Sequence, residues 1–160
     1  MRFLMVLIFI SATAAGAAAQ TPCENDDALA LQLIGNSIRA DHTNATYNCC
    51  SSMAYSFEAS EGQLLLIETE DLAQACHCEC CFALAAVIAD VPSGDWTVVL
   101  RWFDYEQSAW RELSAPITMP VGIAKSPSLG GQGKSQCGGD TVVGIGPEST
   151  SWGLLKTTYR

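Results

Sequence analysis

Cys76-His77-Cys78-Glu79-Cys80-Cys81-Phe82-Ala83-Leu84-Ala85-Ala86-Val87-Ile88-Ala89 is the stretch on which the reading of this chain turns. From Phe82 onward every position is apolar. Phe82, Leu84, Ala86 and Ile88 fall on one face of an extended chain, and Ala83, Ala85, Val87 and Ala89 on the other, which describes a central strand covered on both sides. The alanines would also suit a helix, but Val91-Pro92-Ser93-Gly94-Asp95 ends the run with turn chemistry.

The same stretch holds four of the eight cysteines and one of the two histidines. The chain begins with Met1-Arg2, an apolar run from Phe3 to Ile10 and small residues up to Ala17-Ala18-Ala19, the layout of a secretory leader over residues 1–19 that is cleaved before Gln20. The apolar run is too short to span a bilayer, and Cys23 follows Gln20-Thr21-Pro22 rather than a lipidation box. All eight cysteines lie beyond the leader: Cys23, Cys49, Cys50, Cys76, Cys78, Cys80, Cys81 and Cys137. An even count in an exported chain predicts four bridges. A vicinal Cys49–Cys50 bridge would strain its peptide, so the expected pairing sends Cys49 and Cys50 into the 76 to 81 cluster and joins Cys23 to Cys137.

Working outward, residues 20–27 read as an arm and 28–160 as one domain. Leu29, Leu31 and Leu33 alternate in Ala28 to Ile34, Gly35-Asn36 makes a turn, and Ser37 to His42 returns with Ile38 and Ala40 on one face. Asp41 to Thr46 reads as a polar loop carrying the glycosylation sequon Asn44-Ala45-Thr46. Met53, Tyr55 and Phe57 form a half-buried strand, Ser60-Glu61-Gly62 turns, and Gln63 to Thr69 closes a hairpin. Trp96, Val98, Leu100 and Trp102 make the most strongly alternating face of the chain. Beyond a turn at Tyr105, Trp110 to Leu113 continues as strand, while Pro116 and Pro120 limit Ala115 to Val121 to a sheet edge. Residues 126–139, rich in Gly and Ser, predict a long mobile loop tethered by Cys137. Asp140 to Ile145 and Trp152 to Tyr159 predict two closing strands. Short strands at turn-punctuated intervals, with no long helix, give an all-β, antiparallel two-sheet sandwich.

Charge narrows the function. The chain has 8 basic and 17 acidic residues, a net charge of −9. Removing the leader takes Arg2 away and lowers it to −10. The few Lys and Arg are scattered, which argues against nucleic acid as a partner, and beyond the leader no segment is apolar and long enough to span a membrane. The expected partner is a protein or glycan at the cell exterior.

The residues that could carry chemistry are few. His77, Cys78, Cys80 and Cys81, with Cys49 and Cys50 nearby, are the right ligand types for Cu(I) or Zn(II), the alternative to bridging. Cys78 and Cys81 have the spacing of a redox motif, but in a strand they lack the helix dipole that stabilises a thiolate. Glu68, Glu70 and Asp71 lack the ligand spacing of a calcium loop and read as a solvated strand end. His42 reads as a solvated loop residue, and no nucleophile elbow accompanies it. Trp110, beside a turn, is the best candidate for an exposed binding residue. The resulting expectation is a secreted, non-catalytic binding or structural domain with no cofactor.

Two motifs carry a resemblance. Ile88 to Leu100, through Gly94-Asp95-Trp96-Thr97-Val98, resembles the turn-and-strand signature of immunoglobulin-like and fibronectin-type domains, with Trp96 where those families have Tyr. An indole has no hydroxyl with which to make their corner hydrogen bond. Asn48-Cys49-Cys50, Cys78-Glu79-Cys80-Cys81-Phe82 and the Gly94 to Val98 stretch together are similar to a layout in uncharacterised exported bacterial β-sandwich proteins. The resemblance covers about a third of the chain and implies an immunoglobulin-like sandwich without an activity.

Overall fold

A computed structural model describes residues 23–120, 125–139 and 142; the leader and the two closing strands expected near the C-terminus lie outside them, apart from Val142. The described residues form β1 (Ala28–Ile34), β2 (Ser37–Asn48), β3 (Ser52–Ser60), β4 (Gln63–Asp71), a 3-10 turn (Leu72–Gln74), β5 (Glu79–Ala89), β6 (Gly94–Asp104), β7 (Ala109–Met119) and β8 (Ser128–Lys134). One four-stranded sheet runs β1-β2-β5-β8 and the other β3-β4-β6-β7. This is the expected all-β sandwich. Among the described residues no helix is long and apolar enough to cross a membrane.

The inner faces follow from period-two alternation. Ile38 and Ala40 of β2, Leu64 and Leu66 of β4, Phe82, Leu84, Ala86 and Ile88 of β5, and Val98, Leu100 and Trp102 of β6 meet in one core. Burying each Leu or Ile there contributes about 1.5–3 kcal/mol. β5 is covered on both sides, as its sequence requires: Ala83, Ala85 and Val87 pack on the outer face with Val142.

One ladder departs from the antiparallel expectation. The chain leaves β4, crosses to the other sheet for β5, and returns as β6 beside β4 in the same direction. The β4–β6 pair is therefore parallel, in register from Gln63↔Thr97 to Glu68↔Trp102, while the other five ladders are antiparallel. β7 is a sheet edge, which accommodates Pro116.

The structure corrects three local expectations. Asp41 to Thr46 is not a loop but part of β2. The pairing passes from His42↔Leu84 to Ala45↔Phe82, so one extra residue is inserted, and Asn44 takes the left-handed conformation, φ 60°, that such a bulge accommodates in Asn. The insertion switches the buried parity from even (Ile38, Ala40, His42) to odd (Ala45, Tyr47). That switch breaks the alternation and makes the segment look irregular in sequence.

Within residues 126–139, Ser128–Lys134 is strand β8 rather than mobile loop, held by its ladder to β5. Glycine serves close approach there: a Cβ on Gly130 would meet the Ala89 Cβ at 3.1 Å. The tether at Cys137 is present as expected, to Cys80. Trp96 also does more than its missing hydroxyl suggested, because the indole N–H donates to the Pro92 carbonyl at 3.0 Å and closes the corner with a different donor.

Candidate functional site at the stapled end of the sandwich

The strand register brings the chemistry to one end. β2 and β4 finish there, β3 and β5 start there, and β6, parallel to β4, finishes there too. Two connections cross between the sheets at this end, Cys49 to Ser51 and Leu72 to Cys78. They are joined twice, by Cys49–Cys78 and Cys50–Cys76. Both doublet cysteines therefore enter the 76 to 78 region, as expected.

The other pairing is a correction. Cys23 bonds Cys81 and Cys80 bonds Cys137, in place of Cys23–Cys137. Strand alternation explains it: Cys80 points into the core, fully buried, while Cys81 points outward, so the adjacent sulfurs take partners on opposite sides of β5. The same alternation scatters the suggested ligand set. Cys78, Cys80 and Cys81 belong to three different bridges, and His77 is exposed in the preceding turn. Cys78 and Cys81 likewise do not bond each other.

Asn48 organises the two crossing connections. Its Oδ1 accepts from the backbone N–H of Cys50 at 3.1 Å and of Cys76 at 2.9 Å, and its Nδ2 donates to the Cys76 carbonyl. The Cys49 N–H also donates to the Cys78 carbonyl at 3.2 Å.

Behind this end lies a buried polar network that the sequence reading missed. His42 is 1% exposed and Glu68 2%, so neither is the solvated residue expected. His42 Nδ1 lies 2.8 Å from Glu68 Oε2, and Nε2 lies 3.1 Å from Asp27 Oδ1. The hydroxyls of Tyr47 and Tyr55 donate to Glu68 at 2.7 Å and 2.6 Å. The His42 ring also packs on Trp102, with centroids 4.7 Å apart. Burial pulls the His42 pKa down, but the hydrogen bonds and negative charge of Asp27 and Glu68 outweigh it and raise the pKa to about 9. Both tyrosine hydroxyls are held above their usual range, first by burial and then by the Glu68 charge. The missed signal was parity: His42 extends the buried Ile38, Ala40 series and Glu68 the buried Leu64, Leu66 series.

In front of the network the sheet forks. β4–β6 pairing stops at Glu68↔Trp102, after which β4 stays with β3 to Asp71 and β6 stays with β7 to Asp104. A pocket of about 360 Å³ occupies the fork. Tyr47 and Glu68 line its depth, and Glu70, Phe103, Tyr105 and Trp110 line its walls. A second pocket of about 250 Å³ opens at the same end of the sandwich, shares Tyr47, Glu70, Phe103 and Tyr105, and adds Asp27, Glu79, Asp104 and Glu106. Neither lining includes Lys or Arg, although Arg111 reaches Asp104 at 3.4 Å and, with Arg101, borders the other side of Trp110. Phe103 meets Tyr105 and Trp110 edge-on, with centroids 5.0 and 5.5 Å away. Tyr105 is 48% exposed and Trp110 59%, so Trp110 is the surface aromatic its place beside a turn suggested. Glu70 sits at the pocket, with Oε1 accepting from the Asn48 N–H.

The described residues thus define a cystine-stapled two-sheet β-sandwich with an acidic, aromatic-rimmed opening at its stapled end. Compared with family models, curated proteins and solved structures, the chain matches none.

Proposed function

We propose that this chain is an exported, non-catalytic binding domain that takes a basic side chain of a partner protein in the fork between β4 and β6. The observation that carries the reading is the fork's composition: aromatic walls from Phe103, Tyr105 and Trp110 stand around carboxylates, with no cation among the lining residues. An ammonium or guanidinium gains from both elements, by about 0.5–2 kcal/mol for each ring face that it covers. The net charge of −9 steers a cationic partner toward the domain. A neutral glycan would use the rings but gain little from the charge.

Four disulfides and the leader-like first 19 residues support export. The four-plus-four sandwich and the Trp96 corner support the immunoglobulin-like reading, while the parallel β4–β6 pair departs from its antiparallel sheets. Saturation of the buried network supports the non-catalytic part. Both ring nitrogens of His42 face carboxylates, which leaves no nitrogen to accept a substrate proton.

Calorimetric titration with a lysine-bearing peptide, its acetyl-lysine form and a neutral oligosaccharide tests the proposal. The expected result is binding of the lysine peptide that acetylation abolishes, that added salt weakens, and that Trp110→Ala or Glu70→Gln weakens about five- to tenfold. Binding of the oligosaccharide alone, or equal binding of both peptides, overturns it.

A further inference from the structure

We propose that Cys50, Cys76 and Cys78 form a copper(I) site that is closed while the Cys50–Cys76 and Cys49–Cys78 bridges stand and opens when a dithiol reduces them. The three sulfurs all lie within 4.8 Å of one another. Cys76 Sγ is 3.4 Å from Cys78 Sγ although the two belong to different bridges. A trigonal site with metal–sulfur bonds of about 2.3 Å sets its sulfurs about 4 Å apart. Cys76 and Cys78 Sγ already stand near that spacing, while Cys50 and Cys76 Sγ, bonded to each other, separate by side-chain rotation once their bridge is reduced.

Reduction ordinarily lets such loops drift apart. Here Asn48 pins both backbones without using sulfur, through its contacts to Cys50 and Cys76, and the Cys49 N–H to Cys78 carbonyl bond ties the second pair. β2 and β5, which carry the two loops, remain joined by their ladder to Asn48↔Glu79. The site is also reachable: Cys50 is exposed and Cys76 and Cys78 are half-buried. It differs from the ligand set suggested by the sequence, since Cys80 and Cys81 point away from each other across β5 and take no part.

The step balances as follows for each bridge. The dithiol gives up two electrons and two protons, the S–S bond breaks to two thiols, and the dithiol leaves as its own cyclic disulfide. Two bridges consume two dithiols and yield four thiols. Cu⁺ then forms three bonds to sulfur and releases three protons, while the Cys49 thiol keeps its proton. Copper(I) is the ion that fits because soft thiolates favour it and it accepts three ligands, the number of sulfurs that stand together here. No His, Asp or Glu atom joins the group among the described residues.

The test compares the intact protein with the same protein reduced by dithiothreitol and desalted without oxygen. Each is titrated with Cu⁺ supplied as its bathocuproine disulfonate complex, and the circular dichroism of the sheet is recorded on the same samples. The expected result is one Cu⁺ per chain in the reduced, still folded protein and none in the oxidised protein. Cys76→Ser and Cys78→Ser should bind about 100-fold more weakly and Asn48→Ala about tenfold more weakly, with the Cys23→Ser/Cys81→Ser double variant unchanged. Uptake by the oxidised protein overturns the proposal. So do absence of uptake on reduction, uptake that Cys76→Ser retains, and loss of the sheet signal in the reduced protein.

Discussion

His42 Nδ1 lies 2.8 Å from Glu68 Oε2 between the two sheets, each residue standing two positions beyond a buried apolar neighbour, Ala40 on β2 and Leu66 on β4. A cation and an anion thus continue two apolar stripes into the centre of the sandwich. The pair is tolerated because its capacity is filled: Asp27 takes the second ring nitrogen, and Tyr47 and Tyr55 donate to Glu68. Glu68 also lines the fork pocket, so the stability of this pair and the shape of the opening are linked.

Stability should therefore fall as the solution becomes alkaline. The folded His42 pKa of about 9 lies above the unfolded value of about 6.5, so the folded state favours the imidazolium. The stabilisation is fully present below about pH 6.5 and is lost as pH rises through about 9, a change of about 3 kcal/mol. Urea unfolding at about pH 6 and about pH 9.5 measures it, and a profile as flat as that of His42→Gln would contradict it.

Glu68→Leu should be more damaging than removal of the whole ion pair. Alone it leaves His42 charged and facing only Asp27, at a cost of about 3–5 kcal/mol. His42→Leu/Glu68→Leu removes both charges and should unfold at higher urea than Glu68→Leu. Equal midpoints for the single and double variants would show that the two side chains are not coupled.

The bridge pattern has a direct chemical readout. Non-reduced peptide mapping should recover Cys23–Cys81, Cys49–Cys78, Cys50–Cys76 and Cys80–Cys137, with no Cys23–Cys137 peptide. Removing the Cys80–Cys137 bridge, whose Cys80 half is buried in the core, as a double serine variant should cost about 2–5 kcal/mol.

Two tryptophans near the opening should respond oppositely to truncation. Trp102, 6% exposed, packs on His42 in the core, and Trp102→Ala should cost about 3–5 kcal/mol. Trp110, 59% exposed, should change stability by less than about 0.5 kcal/mol as Trp110→Ala. Thermal melts of the two variants separate the fold's requirement from the rim's.

Close approach of β8 to β5 makes a further prediction. Gly130→Ala places a Cβ at 3.1 Å from that of Ala89, both atoms being fixed to strand backbone, so one strand must give by a few tenths of an ångström. A loss of about 1 kcal/mol is expected, read as a lower urea midpoint. An unchanged midpoint would mean that β8 yields at no cost.

Much of this architecture is local and therefore legible in sequence. Alternation at Trp96 to Trp102 and apolarity on both faces of Phe82 to Ala89 determined the strands and the central place of β5, because side-chain direction in a strand depends only on position along it. The even cysteine count, in a chain whose first residues read as a secretory leader, predicted bridging, and the strain of a vicinal bond sent Cys49 and Cys50 elsewhere. Tertiary structure alone decided the rest. The bulge at Asn44 switched the parity of β2 and hid His42 within a stretch that reads as polar loop. Crossing through β5 laid β6 parallel to β4, so that their divergence after Glu68 and Trp102 opened the fork. Opposite projection of Cys80 and Cys81 set the outer two bridges. Each of these depends on which strands become neighbours across the sandwich, a relation between residues far apart in the chain that no local periodicity encodes.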